Sequence, residues 1–221
     1  MPWFVRAVAL VAALFGARAW ADVSATPYVT LFTVLAPAQQ INSFDRLRAV
    51  QRIESKMAGV TPNQIRIVVK AKRGDIAVPV AADGHISFPL DEALKAENPN
   101  VETNQPKGSL SLTVTMELRL PEGLHIAWAD LHAALDQAHD VLAAQAKVEG
   151  LNVPGIVGAE FRFGRGTEAR VTVTGKSERL LVADAEGRVI VMLDEAAAKE
   201  QPSLEFTHKP LAVMPFLQDL K

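Results

Sequence analysis

Three histidines fall seven residues apart, at His125, His132 and His139, and Asp136 stands between the last two. On a helix, His132, Asp136 and His139 occupy i, i+4 and i+7, one sector of adjacent turns. Imidazole nitrogens and a carboxylate so placed could hold Zn²⁺ or Cu²⁺, the only cofactors the sequence suggests. Three ligands from a single helix leave a site open unless a further group closes it, and His125 is the nearest other histidine. The same sector flanks the polar side of the helix, away from the stripe Leu131, Leu135 and Leu142, so a solvated helix side is the leading reading of these residues.

Other chemistry-bearing patterns read as structure. Gly164 to Ala169 spells GxGxxA, but a dinucleotide site needs a helix after the glycines, and Arg170-Val171-Thr172-Val173 is strand-like. Asp91-Glu92 and Asp194-Glu195 are acid pairs opening two short helices, where carboxylates complement exposed N–H groups. There is no GxSxG elbow, no HExxH and no GxxxxGK[ST] phosphate loop. His85 and His208 have no nearby Ser or Asp suggesting a triad. Trp128, just before the long helix, reads as a core plug or helix staple. No catalytic residue and no cofactor-binding loop is expected.

The elements that position these residues come as a repeat. Gly84 to Pro106 aligns without a gap on Gly187 to Lys209, with eight of 23 positions identical. Repeats of this kind decide the fold before any single motif does. Tyr28 to Leu35 is rich in β-branched and aromatic residues and predicts a strand. Phe44, Leu47, Val50, Ile53 and Met57 recur at helical spacing behind Asn42-Ser43, which predicts a capped helix. Ile65, Ile67, Val69 and Ile76, Val78, Val80 predict strands, with a hairpin turn at Ala82-Asp83-Gly84. Asp91 to Asn98 predicts a short helix, and Val101 to Gly108 a linker. Leu110 to Leu120 alternates as a strand, and a long helix follows from Asp130. Strands are expected at Phe161–Phe163 and Val171–Val173, with Leu180–Val182 pairing to Val189–Leu193 through Glu186-Gly187. A second short helix over 194–201 and a strand at Leu204–Phe206 complete the pattern.

These elements give an α+β expectation: two duplicated strand–helix–strand–hairpin–short helix units with mainly antiparallel sheets, packed together. The expected boundaries are 1–21, 22–108 for the first repeat unit and 109–221 for the second.

Residues 1–21 read as a secretory signal: Arg6, the apolar run Ala7–Phe15, and Ala19-Trp20-Ala21 as a cleavage site. The run is too short to span a bilayer. Cleavage after Ala21 leaves 21 basic against 25 acidic residues, a net charge of −4. With no basic cluster, nucleic acid and anionic membrane surfaces are poor partners. The chain has no cysteine, so disulfides and thiolate metal sites are excluded.

The signal, the Ser43-Phe44-Asp45-Arg46-Leu47 helix start and the Asp83-Gly84-x-Ile86-x-Phe88-Pro89-Leu90-Asp91 block resemble small exported proteins of proteobacteria that carry no assigned activity. That resemblance implies a periplasmic setting and brings no site residues with it. The expected function is a soluble, non-catalytic periplasmic binding or accessory protein, its partner a periplasmic protein or a small ligand. The alternatives are a periplasmic metal-binding protein using His132, Asp136 and His139, and a hydrolase whose site no motif marks.

Overall fold

The computed structural model of the chain describes residues 24–150, 152–175, 178–193 and 202–218. The signal-like segment 1–21 and the expected short helix over 194–201 lie outside the described residues. Within them the chain forms two compact units, residues 24–40 with 49–115, and residues 41–48 with 116–218.

In the first unit β1 (Ser24–Pro27) runs straight into α1 (Tyr28–Leu35). There follow β2 (Leu47–Ser55), β3 (Ile67–Ala71), β4 (Gly74–Val78), β5 (His85–Ile86), α2 (Glu92–Glu97), β6 (Asn100–Thr103) and β7 (Leu110–Leu118). One sheet has the order β1-β6-β3-β4 and the other β5-β2-β7. The unit boundaries fall inside β2 and β7. Tyr28, Phe32 and Leu35 form the buried stripe of α1, at helical spacing. They share a core with Ile67, Val69 and Val101 of one sheet and Ile53, Ile86, Leu112 and Val114 of the other. Each such apolar side chain contributes roughly 1.5–3 kcal/mol on burial.

The second unit runs β8 (His125–Ala127), α3 (Trp128–Glu149), β9 (Ile156–Arg162), β10 (Arg170–Thr174), β11 (Arg179–Val182), β12 (Arg188–Met192), β13 (Ser203–Phe206) and β14 (Ala212–Leu217). Its sheet orders are β8-β13-β10-β11 and β12-β9-β14. Strand for strand these are the orders of the first unit. Individual hydrogen bonds follow the same plan. The first helix residue donates its N–H to a proline carbonyl in both: Tyr28 to Pro99 at 2.9 Å and Trp128 to Pro202 at 3.0 Å. Gly84 O accepts from Ile53 N at 2.8 Å, and Gly187 O from Phe163 N at 2.7 Å. Both glycines have a left-handed φ, +81° and +77°. A Cβ would lie 2.6 Å from Ile53 O in one case and 2.7 Å from Gly164 O in the other. Only glycine fits either corner without a shift of backbone.

The α+β expectation is overturned. The protein is mostly β: among the described residues fourteen strands form four antiparallel sheets, accompanied by three α-helices. Two misread elements account for much of this. The segment expected as a helix, Phe44 to Met57, is largely β2. Leu47, Val50 and Ile53 are its buried residues, three apart. A strand shows period two only while one face stays buried; β2 changes its buried face along its length, and the result imitates a helix. The segment expected as a strand, Tyr28 to Leu35, is α1. Pro27 offers no side-chain cap, and the free N–H of Val29 is taken instead by Asn98 Oδ1 at 2.9 Å. Thr33 Oγ1 donates to Val29 O at 2.8 Å, which suits a hydroxyl to a helix turn. The cap arrives from about seventy residues away, where no local reading reaches.

Two smaller differences follow. Leu180–Val182 and Val189–Leu193 are joined by a tight turn but pair in different sheets, β11 with β10 and β12 with β9. The expected linker from Val101 begins as β6, paired on both sides by β1 and β3. The helix at Asp91 forms as expected: Asp91 Oδ1 accepts from Ala93 N at 2.6 Å and Leu94 N at 3.3 Å, a cap contributing about 1 kcal/mol.

Candidate functional site: an apolar cavity with a hydroxyl rim

His132 and Asp136 do meet. The imidazole Nδ1 and a carboxylate oxygen lie 3.0 Å apart on α3, with side chains 47% and 67% exposed. His139 is also exposed. Among the described residues no group of three His, Cys, Asp or Glu side chains is arranged to hold a metal ion. His125 sits on β8 facing Glu205 of β13 at 4.0 Å, a cross-strand pair. His85 pairs with Arg52 across β5 and β2, and His208 Nδ1 lies 3.0 Å from Thr207 Oγ1. The Gly164–Gly166 glycines form a turn between β9 and β10, with no helix after them. Asp194-Glu195 lie outside the described residues.

Trp128 is buried at the start of α3, and its indole Nε1 finds no hydrogen-bond partner among the described residues. Its counterpart Tyr28 is tied in: the hydroxyl donates to Pro89 O at 2.6 Å and accepts from Asp91 N at 3.0 Å. Burial is the main force raising the Tyr28 pKa, so the phenol stays protonated and keeps donating.

One buried carboxylate draws attention, Glu117 at 0% exposure. Arg48 meets it side-on, Nη2 at 2.6 Å and Nε at 3.0 Å from the same oxygen. Nearby, Arg46 pairs with Asp130 at 3.0 Å, and Gln137 donates to Asp45, holding that carboxyl below its ordinary pKa. These bonds fasten residues 41–48 to α3 and to β7. Each charge is spent on a protein partner, which fits a structural clamp.

A cavity of about 90 Å³ in the first unit has room for a ligand. Its walls are Ile53, Ile67, Ile86, Phe88, Leu110 and Leu112, with Leu31 of α1 and Val101 of β6. One such void needs only about 10–15 Å³ to hold a water molecule, so this one accepts a short alkyl group or small ring. Ser24 and Thr26 of β1 and Thr103 of β6 add three hydroxyls on one side. Ser24 stands opposite Thr103 and Thr26 opposite Val101 in the ladder, so the three share a face. All three are half-buried, as are Pro106, Gly108, Leu31 and Leu110, and the cavity is partly open to solvent. Among the described residues no charged side chain lines it.

None of these lining residues was a site candidate from sequence. The usable signal was the repeat itself, which sets Val101 and Thr103 against Leu204 and Phe206, a pair with obvious strand character. Comparison with protein-family models, with curated proteins and with solved structures finds no match for this chain.

Proposed function

We propose that this chain is an exported, non-catalytic binding protein that takes up a small apolar ligand in the cavity of its first unit. The observation that carries the reading is that cavity: a partly open pocket of about 90 Å³ with apolar walls and, among the described residues, no charged lining side chain. Apolar walls that face a partly open pocket forgo dispersion contacts that a packed neighbour would supply. A ligand that restores those contacts gains affinity from the same source. Export is supported by residues 1–21, with their arginine, apolar run and small-x-small end. Descent from one copied unit is supported by the matching strand orders and by the 103-residue spacing of Gly84 and Gly187.

Xenon tests the cavity without presupposing a ligand. Under xenon pressure the methyl resonances of Ile53, Ile67, Ile86 and Leu112 are expected to shift in a saturable way. Unmoved methyls at those positions would remove the binding reading. N-terminal sequencing of the protein recovered from the periplasm tests export; the expected first residue is Asp22, and retention of Met1 in a cytoplasmic fraction overturns that part.

A further inference from the structure

Sheet register allows position-by-position comparison of the cavity with the second unit. Thr26 faces Val101 as Ile126 faces Leu204, and Ile67 faces Thr103 as Val171 faces Phe206. Phe206 N donates to Leu124 O at 2.8 Å, which sets Leu124 where the first unit has Ser24. All three hydroxyls, Ser24, Thr26 and Thr103, thus stand where the second unit carries Leu124, Ile126 and Phe206. Phe206 and Ile126 are buried there, Phe206 packing against Phe161 at 5.0 Å between tilted rings, while Leu124 is 49% exposed. One position runs the other way, Phe88 against Val191, so the first unit is not merely smaller in its side chains. A buried apolar solution is therefore available to the fold at two of these positions, and the first unit departs from it at Thr26 and Thr103.

We infer that the cavity selects a small amphiphile with an uncharged head, its short alkyl part among Ile53, Ile67, Ile86 and Leu112 and its head hydrogen-bonded to Ser24, Thr26 and Thr103. This rests on the binding reading above and adds the chemical class of ligand. Thr103 Oγ1 already accepts from Gln105 N at 3.2 Å, which leaves its hydrogen free to donate. The Ser24 and Thr26 hydroxyls make no hydrogen bond among the described residues. A hydroxyl both donates and accepts, so an alcohol, ketone or amide head is matched in either sense. Among the described residues the lining holds no charge to pair with a carboxylate or ammonium head, and an unpaired charge at an apolar site is costly.

The test compares pentane, 1-pentanol and pentanoate at pH 7.5, read from the same methyl resonances of the purified protein. Pentanol is expected to bind roughly five- to tenfold more tightly than pentane, and pentanoate more weakly than pentanol by at least about tenfold. The double variant Thr26→Val, Thr103→Val keeps branching and volume. It should remove most of the preference for pentanol over pentane, with pentane bound at least as tightly as by the wild type, and retained pentane binding itself reports an intact fold. Ser24→Ala, at the strand end, gives a second and milder variant with the same expected direction. Pentanoate binding as well as pentanol, or pentanol indifferent to the double variant, overturns the head-group inference and leaves the cavity reading standing. Failure of pentane and pentanol alike to move these methyls overturns the cavity reading itself.

Discussion

The two units use one strand order to reach different interiors. In the first, half-buried Ser24, Thr26 and Thr103 border a cavity of about 90 Å³. In the second, the corresponding face carries Leu124, Ile126 and Phe206, and two further rings, Phe161 and Phe163, lie 5.0 and 6.5 Å from Phe206. The backbone plan is common: a strand leading into a helix, a glycine corner, and a proline carbonyl receiving the first helical N–H. Side-chain volume on one sheet face is what differs. A fold constrained by ladder hydrogen bonds and glycine corners tolerates exchange of core volume far better than exchange of turns.

Removing the plug should have the largest effect. Phe206→Thr gives the second unit the first unit's residue and deletes a buried ring, at an expected cost of about 3–4 kcal/mol. Chemical denaturation measures it, and a loss under about 1 kcal/mol would mean the two faces are interchangeable. Next come the glycine corners. Gly84→Ala and Gly187→Ala each force a Cβ onto a carbonyl oxygen at left-handed φ, with an expected loss of about 2 kcal/mol apiece. Similar losses from both support one shared corner; a large loss from one alone breaks the equivalence. Filling the cavity should matter less to stability. Thr103→Phe imports the second unit's residue into existing space, so the expected cost is about 1 kcal/mol or less, with xenon binding abolished. Retained xenon shifts in that variant would place the bound atom elsewhere.

The smallest effect concerns the turns. The hairpins share their backbone bonds: Ala81 N to His85 O and Gly84 N to Ala81 O at 2.9 Å, matched by Asp184 N to Arg188 O at 3.0 Å and Gly187 N to Asp184 O at 2.9 Å. Only the second has a carboxylate at the first position. Asp184 accepts from Arg188 N at 2.8 Å, from Glu186 N at 3.1 Å and from the Arg188 side chain, and these bonds hold its pKa below the ordinary carboxyl value. A lowered folded pKa means the stabilisation is complete above the unfolded value, near pH 4, and fades as pH falls through the folded one. Protection of the Glu186 and Arg188 amides, taken relative to their intrinsic exchange rates, should therefore fall only below about pH 4, and Asp184→Asn should lack that acid-dependent step. Identical acid profiles for the wild type and the variant would remove the carboxylate from the account.

Legibility varied with how local the cause was. The Asp91 cap, the Leu110–Leu118 strand and the long α3 helix were readable because their determinants lie within a few residues. Tyr28–Leu35 was not, since Asn98 supplies its cap. Yet the answer lay in the repeat: Tyr28, Leu31 and Leu35 align with Trp128, Leu131 and Leu135 of a segment plainly helical in composition. Sheet partners for 180–193 were not legible, because alternation says which face is wet and nothing about which edge is joined. The histidine sector on α3 was visible by spacing, and the structure brings His132 to Asp136 only. The cavity was invisible, as threonine in a strand reads as an ordinary half-exposed β-former.

By itself the sequence determined the punctuation of this protein: glycines that alone fit left-handed corners, the aspartate cap, the alternating strands and the 103-residue echo. Such features act through the backbone of a few neighbouring residues, so they survive any change in packing. Tertiary structure alone decided that Leu47–Ser55 is a strand, that Tyr28–Leu35 is a helix, and that one sheet face borders a partly open pocket where its counterpart buries Ile126 and Phe206. Those outcomes depend on which distant groups supply a cap, cover a face or leave space, and burial is a property of the assembled chain.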